Sequence, residues 1–441
     1  AYARDRWPVA NHAMREGSLV RGLPGAIVQP ATYEAVGAVL RFAGERRIPV
    51  VPYGLGSGVL GGAAGGTGEL VLDLRRLDAV IEVNERDGLA TVQAGINGGQ
   101  LEALLRDRGL TTGHYPQSLN ISTVGGWLAC RGSGQSSSFY GSIEHLVAGA
   151  KLVTAAGNLI DIKAEPRRST GPGLLDLFMG SEGTLGVFVE VTLRVFPVQA
   201  LELRHAVALP DYRTGLEVLR GLTRSGLRPA IARLYDEHES SYRLRGYPAE
   251  GRKVICMLTF AGIPEVAGAE ARAALDIAAA QGGIDLGEGP LLTWERLRYD
   301  SYSARHMAAG RFMDTIDVAA RWSVLPPLYE NARTDVLAVA PGAEFGAHWS
   351  HIYPDGACMY MSVVLPEAPP ELQRTWHETA WESVMRRCLD AGATIGHHHG
   401  VGRHRARWLR EELGDAGFEA LVAVKKALDP RGIMNPGVLG L

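Results

Sequence analysis

Glycine constrains this chain more than any other residue type, because it is both abundant and clustered. It supplies 55 of 441 residues, against a usual share of about 7%. The clusters follow strands or fill long connections, where a backbone without Cβ takes positive φ and lets a ligand approach closely.

The first cluster, P-Y-G-L-G-S-G-V-L-G-G over residues 52–62, comes directly after a short apolar strand, 48–51. Before that strand, Val36, Val39, Leu40 and Phe42 recur at helical spacing after Thr32. Gly54, Gly56 and Gly58 allow successive N–H groups to converge on an anion, which describes a pyrophosphate cradle. No G-K-[ST] follows, and no G-x-G-x-x-G opens a helix, so a plain turn explains this cluster equally well when it is taken alone. The second cluster spans 113–134, G-H-Y-P-Q-S-L-N-I-S-T-V-G-G-W-L-A-C-R-G-S-G. Loops of that length are functional or disordered, and this one is too apolar for disorder. The third, S-T-G-P-G at 169–173 with M-G-S-E-G-T-L-G at 179–186, leads into an alternating strand, 187–195.

Strands are expected at 70–74 and 80–93, a helix over 98–110, and a hairpin of 147–155 with 158–162. Pro197 marks a change of character. From 201 to 395 strand-like and helix-like segments alternate, predicting an antiparallel sheet with helices on one face. Next comes G-H-H-H-G-V-G-R-H-R-A-R-W, 396–408, then a helix over 408–428 and a terminal D-P-R-G-I-M-N-P-G. The expected division is a first domain of 1–197 completed by 405–441, and a second of 198–404.

A net charge of −3 argues against nucleic acid or a membrane held by bulk charge, leaving a small molecule as the expected partner. The four cysteines (Cys130, Cys256, Cys358, Cys388) lie far apart, which suits a reduced, cytoplasmic protein. No apolar run approaches the roughly 18 residues of a membrane span.

Taken in order, P-Y-G-L-G-S-G-V, S-T-V-G-G-W, M-G-S-E-G-T-L-G-V and D-P-x-G-I-x-N-P-G resemble the flavoproteins of the vanillyl-alcohol oxidase and p-cresol methylhydroxylase superfamily. Within it, F-Y-G-S-I-E-H-L-V, R-R-S-T-G-P, Y-P-D-G-A-C-M-Y and H-H-H-G-V-G-R look like the alkyldihydroxyacetone-phosphate synthase branch. The resemblance implies an α+β, two-domain protein: an FAD-binding domain made of the N-terminal part plus the C-terminal tail, and a cap built on an antiparallel sheet. It implies that Pro52, Gly54, Gly56, Ser57 and Gly58 bind the pyrophosphate. Pro116, Ser118, Thr123, Gly125 and Gly126 would line the flavin, and Glu182, Gly183, Thr184 and Gly186 would lie near the adenosine and ribityl parts. Covalent members carry a His or Cys at the flavin edge, and the first glycine loop has neither, so FAD is expected to bind without a covalent link. A homodimer is the oligomer this reading allows.

In that branch the chemistry is redox-neutral: flavin N5 chemistry exchanges an acyl group for an ether-forming alcohol. It calls for proton carriers and cations. His397, His398 and His399 supply imidazoles that titrate near neutrality, and alternation in an extended chain would turn at most two of them to one side. Tyr360 stands at the place of the family's catalytic tyrosine, and Arg233 matches a cap-strand arginine able to orient a phosphate or carboxylate. The plainer readings are a sheet aromatic for Tyr360, an ion pair with Asp236 for Arg233, and support from beneath for His114. A metal site is the competing reading of the histidines, but no acidic residue stands at ligand spacing, so none is expected. The family's R-D-x-L pattern is not kept in register: S-Y-S-A-R-H-M-A-A-G-R at 301–311 leaves Arg305 as the nearest candidate. That departure leaves open an oxidase or dehydrogenase taking hydride from an alcohol or 2-hydroxy acid. A non-catalytic flavin-binding module is the third reading.

Overall fold

The computed structural model describes residues 1–299 and 303–441, with side chains over the same ranges except 303–305. The chain forms two compact units. One comprises 1–134, 141–198 and 398–441; the other comprises 135–140 and 199–397. The chain therefore returns to the first unit inside the histidine triplet rather than at 405, and a six-residue excursion, 135–140, belongs with the second.

The first unit holds a parallel three-stranded sheet with Leu70–Asp73 between Ala26–Val28 and Val50–Tyr53. The helix Tyr33–Arg46 starts where expected, with Thr32 Oγ1 accepting from Ala35 N as its cap. Its Val36 and Leu40 pack on Val50, Leu72, Val189 and Met434, so strand, helix and C-terminal tail share one core. Beside it lies an antiparallel five-stranded sheet ordered Val80–Asn84, Leu89–Gln93, Val187–Arg194, Val147–Val153, Leu159–Ile162. The expected helix over 98–110 stops at Arg106, because Leu110–Thr111 pairs with Phe196–Pro197.

The second unit is built on a seven-stranded antiparallel sheet, ordered Ile284–Asp285, Leu201–Leu209, Val254–Gly262, Ile231–Tyr235, Glu344–Ile352, Gly356–Leu365, Phe312–Arg321. Alternation sorts its residues sharply. Leu234, Ala347, Trp349, Met359, Met361, Ile316 and Val318 are fully buried on one face, where Tyr212 and Tyr329 pack on Trp349. The opposite face carries Arg233, Tyr235, His348, Tyr360, Ser362, Thr315 and Asp317. Helices are not confined to one face as expected. Helix Glu237–Arg243 sends Glu239 to Ser362 (3.0 Å), and helix Gly289–Leu297 sends Glu295 to Arg204 (3.1 Å), both on the polar side.

Candidate functional site

The first glycine loop leaves the strand Val50–Tyr53 and turns back on itself. Gly56 sits at φ +63°, and a Cβ there would lie 2.3 Å from the Tyr53 hydroxyl; one on Gly54 would lie 2.4 Å from Thr123 Oγ1. Both positions therefore exclude larger residues. Among the described residues, none of the backbone N–H groups from Gly54 through Ser57 to Gly58 donates to a protein acceptor. A run of donors on a side-chain-free loop after a parallel strand is what a pyrophosphate requires, so these residues fit a dinucleotide cofactor.

The second loop approaches this one through Thr123, whose Oγ1 accepts from Gly126 N at 3.3 Å and caps the short helix Val124–Ala129. Pro116 and Ser118 turn the chain by accepting from Leu119 N and Ile121 N. Gly125 is small for packing reasons, since a Cβ would stand 2.8 Å from that of Ala94. His114 is fully buried against Trp127, ring centroids 4.6 Å apart, and burial pushes its imidazole down to about 3. It is a neutral packing group.

The third block is tied inward. Glu182, at φ +49°, accepts from Val401 N (2.7 Å) and Gly402 N (3.0 Å), and burial pushes its carboxyl up while those N–H groups pull it back. Thr184 Oγ1 donates to Ser181 O, Lys425 Nζ donates to Thr184 O, and Gly183 lies against Pro52, Gly186 against Leu152. Arg403 is spent on structure too, donating to the carbonyls of Gly61 and Pro436 and to Asn435 Oδ1.

In the second unit, cross-strand register assembles the polar face. Tyr235 opposes His348, His348 opposes Tyr360, and Tyr360 opposes Asp317. The Tyr360 hydroxyl donates to Thr315 Oγ1 at 3.0 Å, and its ring stacks on His348, centroids 4.8 Å apart. Burial raises the Tyr360 pKa well above the ordinary phenol value, so the group keeps its proton at neutral pH and acts as a donor. Arg233 Nε donates to Tyr235 Oη (2.7 Å) and Arg233 Nη2 to His348 Nε2 (2.6 Å). A guanidinium can only donate, which fixes His348 Nε2 as an acceptor, and among the described residues two of its five N–H groups are used. The Arg233–Asp236 ion pair does not form. Asp236 turns to Ala347 N, Tyr329 Oη and Glu239 N, and burial pushes its carboxyl up to about 7.

The histidine triplet divides. His397 belongs to the second unit: its backbone N donates to Asp317 Oδ2 (3.0 Å), its Nε2 meets Tyr353 Oη (2.7 Å), and its ring stacks on His351, centroids 4.9 Å apart. His398 and His399 belong to the first unit, with rings 4.5 Å apart. Simple alternation does not hold, because residues 397–399 form a bend rather than a strand. Arg305 falls on helix Ser303–Ala308, and its side chain lies outside the described residues.

Sequence reasoning missed His348, Asp317, Tyr353, His351 and Ser137. His351 sits at φ +52° in a bulge between Ser350 and Ile352, with Nδ1 2.6 Å from Ser137 Oγ. A non-glycine residue held this way in a bulge re-aims its side chain at a cost. The only sequence signal was the motif Y-P-D-G, which forces a tight return just after it.

A side-chain-free glycine loop on one unit and a polar sheet face on the other fit an enzyme with a dinucleotide cofactor, and comparison with known proteins shows the family. Residues 24–163 match the FAD binding domain family, and 203–439 match the C-terminal domain of FAD linked oxidases. The chain belongs to the FAD-linked oxidoreductases, an enzyme family, and its cofactor is FAD. It is similar to the uncharacterized FAD-linked oxidoreductase YgcU of Escherichia coli K12, 32% identical over 95% of this chain and 89% of that one. It is also similar to the alkyldihydroxyacetonephosphate synthase of Dictyostelium discoideum, 27% identical over 95% of this chain and 73% of that one. A solved alkyldihydroxyacetonephosphate synthase shares the fold, with TM-score 0.83 and 22% identity over 99% of this chain and 80% of that one. The family anticipated from the motifs is thus the family found.

Proposed function

We propose that the protein oxidises a small, polar hydroxy compound, an alcohol or 2-hydroxy acid. FAD, when bound, supplies the two-electron acceptor. The observation that carries the reading is the polar strip Arg233–His348–Tyr360–Thr315–Asp317 on a sheet whose other face is mostly apolar. Arg233 retains donors for a carboxylate or phosphate oxygen, and its guanidinium lies over Trp294 at 5.5 Å, which limits its swing. Tyr360, holding its proton, turns it from Thr315 Oγ1 to the substrate oxygen, and a motif histidine takes the hydroxyl proton. His397, fixed by Asp317 and Tyr353, anchors the triplet.

A second reading follows the likeness to the synthase: redox-neutral exchange of an acyl group for an alcohol on the same residues. It needs room for a long chain, and the polar strip favours the small substrate. Anaerobic mixing with hydroxy acids and with an acyl-glycerone phosphate separates the two. Net oxidation leaves the flavin bleached, whereas exchange returns it to the oxidised form.

The cradle residues Pro52 to Gly58 hold the pyrophosphate in this reading, and the bond to FAD is non-covalent, since 52–62 carries no His or Cys. Acid precipitation should then release all flavin fluorescence into the supernatant; fluorescence remaining in the pellet contradicts it.

A further inference from the structure

The family match to the FAD binding domain begins at residue 24, yet the segment before it is stitched along the cradle loop. Arg6 N donates to Gly58 O (2.8 Å), and Gly65 N donates to Tyr2 O (3.0 Å). Asp5 stands between them, 3% exposed, its Oδ2 accepting from Ala63 N (3.3 Å) and its Oδ1 from Trp7 N (3.0 Å). Tyr2 anchors the segment's start, with its hydroxyl on Asp73 Oδ2 (2.7 Å) and its ring 5.0 Å from that of Tyr53, the last residue of the strand before the loop. Trp7 closes the other end. A Cβ on Gly61 would lie 2.7 Å from its indole, whose N–H donates to His404 Nδ1 (3.3 Å).

The loop is held from its far side by the C-terminal motif, where Arg403 N and His404 N both donate to Leu60 O. The carbonyls of Gly58, Leu60 and Gly61 are thus all engaged, while the N–H groups of 54–58 meet no acceptor among the described residues. In a trans peptide the C=O of one residue and the N–H of the next point opposite ways, so tying these carbonyls fixes the peptide planes just after the run and holds its end at Gly58 in place. Tying them also removes freedom that an untied run of glycines would lose on binding.

We infer that the strap Tyr2–Trp7 is a cofactor-retaining element, with Asp5 and Trp7 as positioning residues that preorganise the cradle for FAD without touching it. This rests on the reading that 54–58 binds the pyrophosphate. An isolated buried carboxylate is costly unless it is hydrogen-bonded. Asp5 persists at such a site because it takes two backbone N–H groups, one from the strap and one from the loop, and so joins them.

The test is flavin release from the holoprotein, followed as the rise in flavin fluorescence after dilution, for Asp5→Ala, Asp5→Asn, Trp7→Phe and Gly56→Ala. Tyr33→Phe, which removes a 2.9 Å bond to Glu190 in the same unit away from the loop, is the control. Expected are release at least tenfold faster for Asp5→Ala, a smaller rise for Asp5→Asn, a several-fold rise for Trp7→Phe, and a rate within twofold of wild type for Tyr33→Phe. Wild-type release from folded Asp5→Ala and Trp7→Phe, with Gly56→Ala fast, overturns the strap and leaves the cradle standing. Wild-type release from Gly56→Ala overturns the cradle reading itself. If Asp5→Ala does not fold, Asp5→Asn and Trp7→Phe decide, and wild-type rates in both overturn the inference.

Discussion

The glycine loop proposed as a cradle and the polar sheet face are built by opposite means. The cradle uses backbone: its groups are N–H donors, and its side chains matter by being absent. The sheet face uses side chains placed by register, where residues far apart in sequence meet because Tyr235, His348, Tyr360 and Asp317 oppose one another across strands. The two should therefore fail differently. A substitution in the cradle should cost cofactor and leave the second unit folded, whereas one on the face should cost rate and leave the cofactor in place.

The sharpest break is expected at Gly56, where a side chain meets both a positive φ and the Tyr53 hydroxyl. Gly56→Val should lower FAD affinity at least 100-fold, read as the flavin-to-protein ratio after gel filtration. Next is Tyr360→Phe, which should slow flavin reduction by about 10²–10³, the range for loss of one hydrogen-bond donor to a reacting oxygen, with flavin content unchanged. Glu182→Ala should be smaller and should fall on stability. It leaves the N–H groups of Val401 and Gly402 without their acceptor, a loss of about 1–3 kcal/mol, measured as a lower urea midpoint.

The pH dependence is an effect that grows as the solution is made more acidic. His114 has a folded value of about 3, below the roughly 6.5 of an unfolded chain. Between these values the unfolded state binds the extra proton, so stability falls as pH drops, by about 1.4 kcal/mol per pH unit. Asp236, raised to about 7, works in reverse over roughly pH 4–7: the folded state binds the proton, and stability falls as pH rises. His114→Phe keeps a ring beside Trp127 and removes the first effect, so its unfolding free energy should gain on wild type steadily below pH 6.5. Parallel curves for the two proteins contradict this account of His114.

What could be read in the sequence follows the same division. Gly54, Gly56 and Gly58 were legible as a loop without side chains because such a loop leaves its mark in closely spaced positions, and the helix from Thr32 was legible from its period. Tyr360 and Arg233 were legible only through family resemblance. His348 and Asp317 were not legible, because the register that makes them neighbours of Tyr360 is set by a sheet spanning residues 201–365. His351 depends on a single bulge. The absence of an acidic residue at ligand spacing from the triplet was true of the sequence, yet the fold brings Asp317 to His397 N.

The central claim is that FAD retention belongs to the glycine cradle and substrate chemistry to the face around Tyr360. Its most direct test is anaerobic reduction of the bound flavin in wild type and Tyr360→Phe, across a set of small hydroxy acids and alcohols at matched flavin content. The account predicts a substrate that bleaches wild-type flavin and bleaches the variant about 100-fold more slowly, with equal flavin in both. Equal bleaching rates, or loss of flavin from Tyr360→Phe, would contradict it.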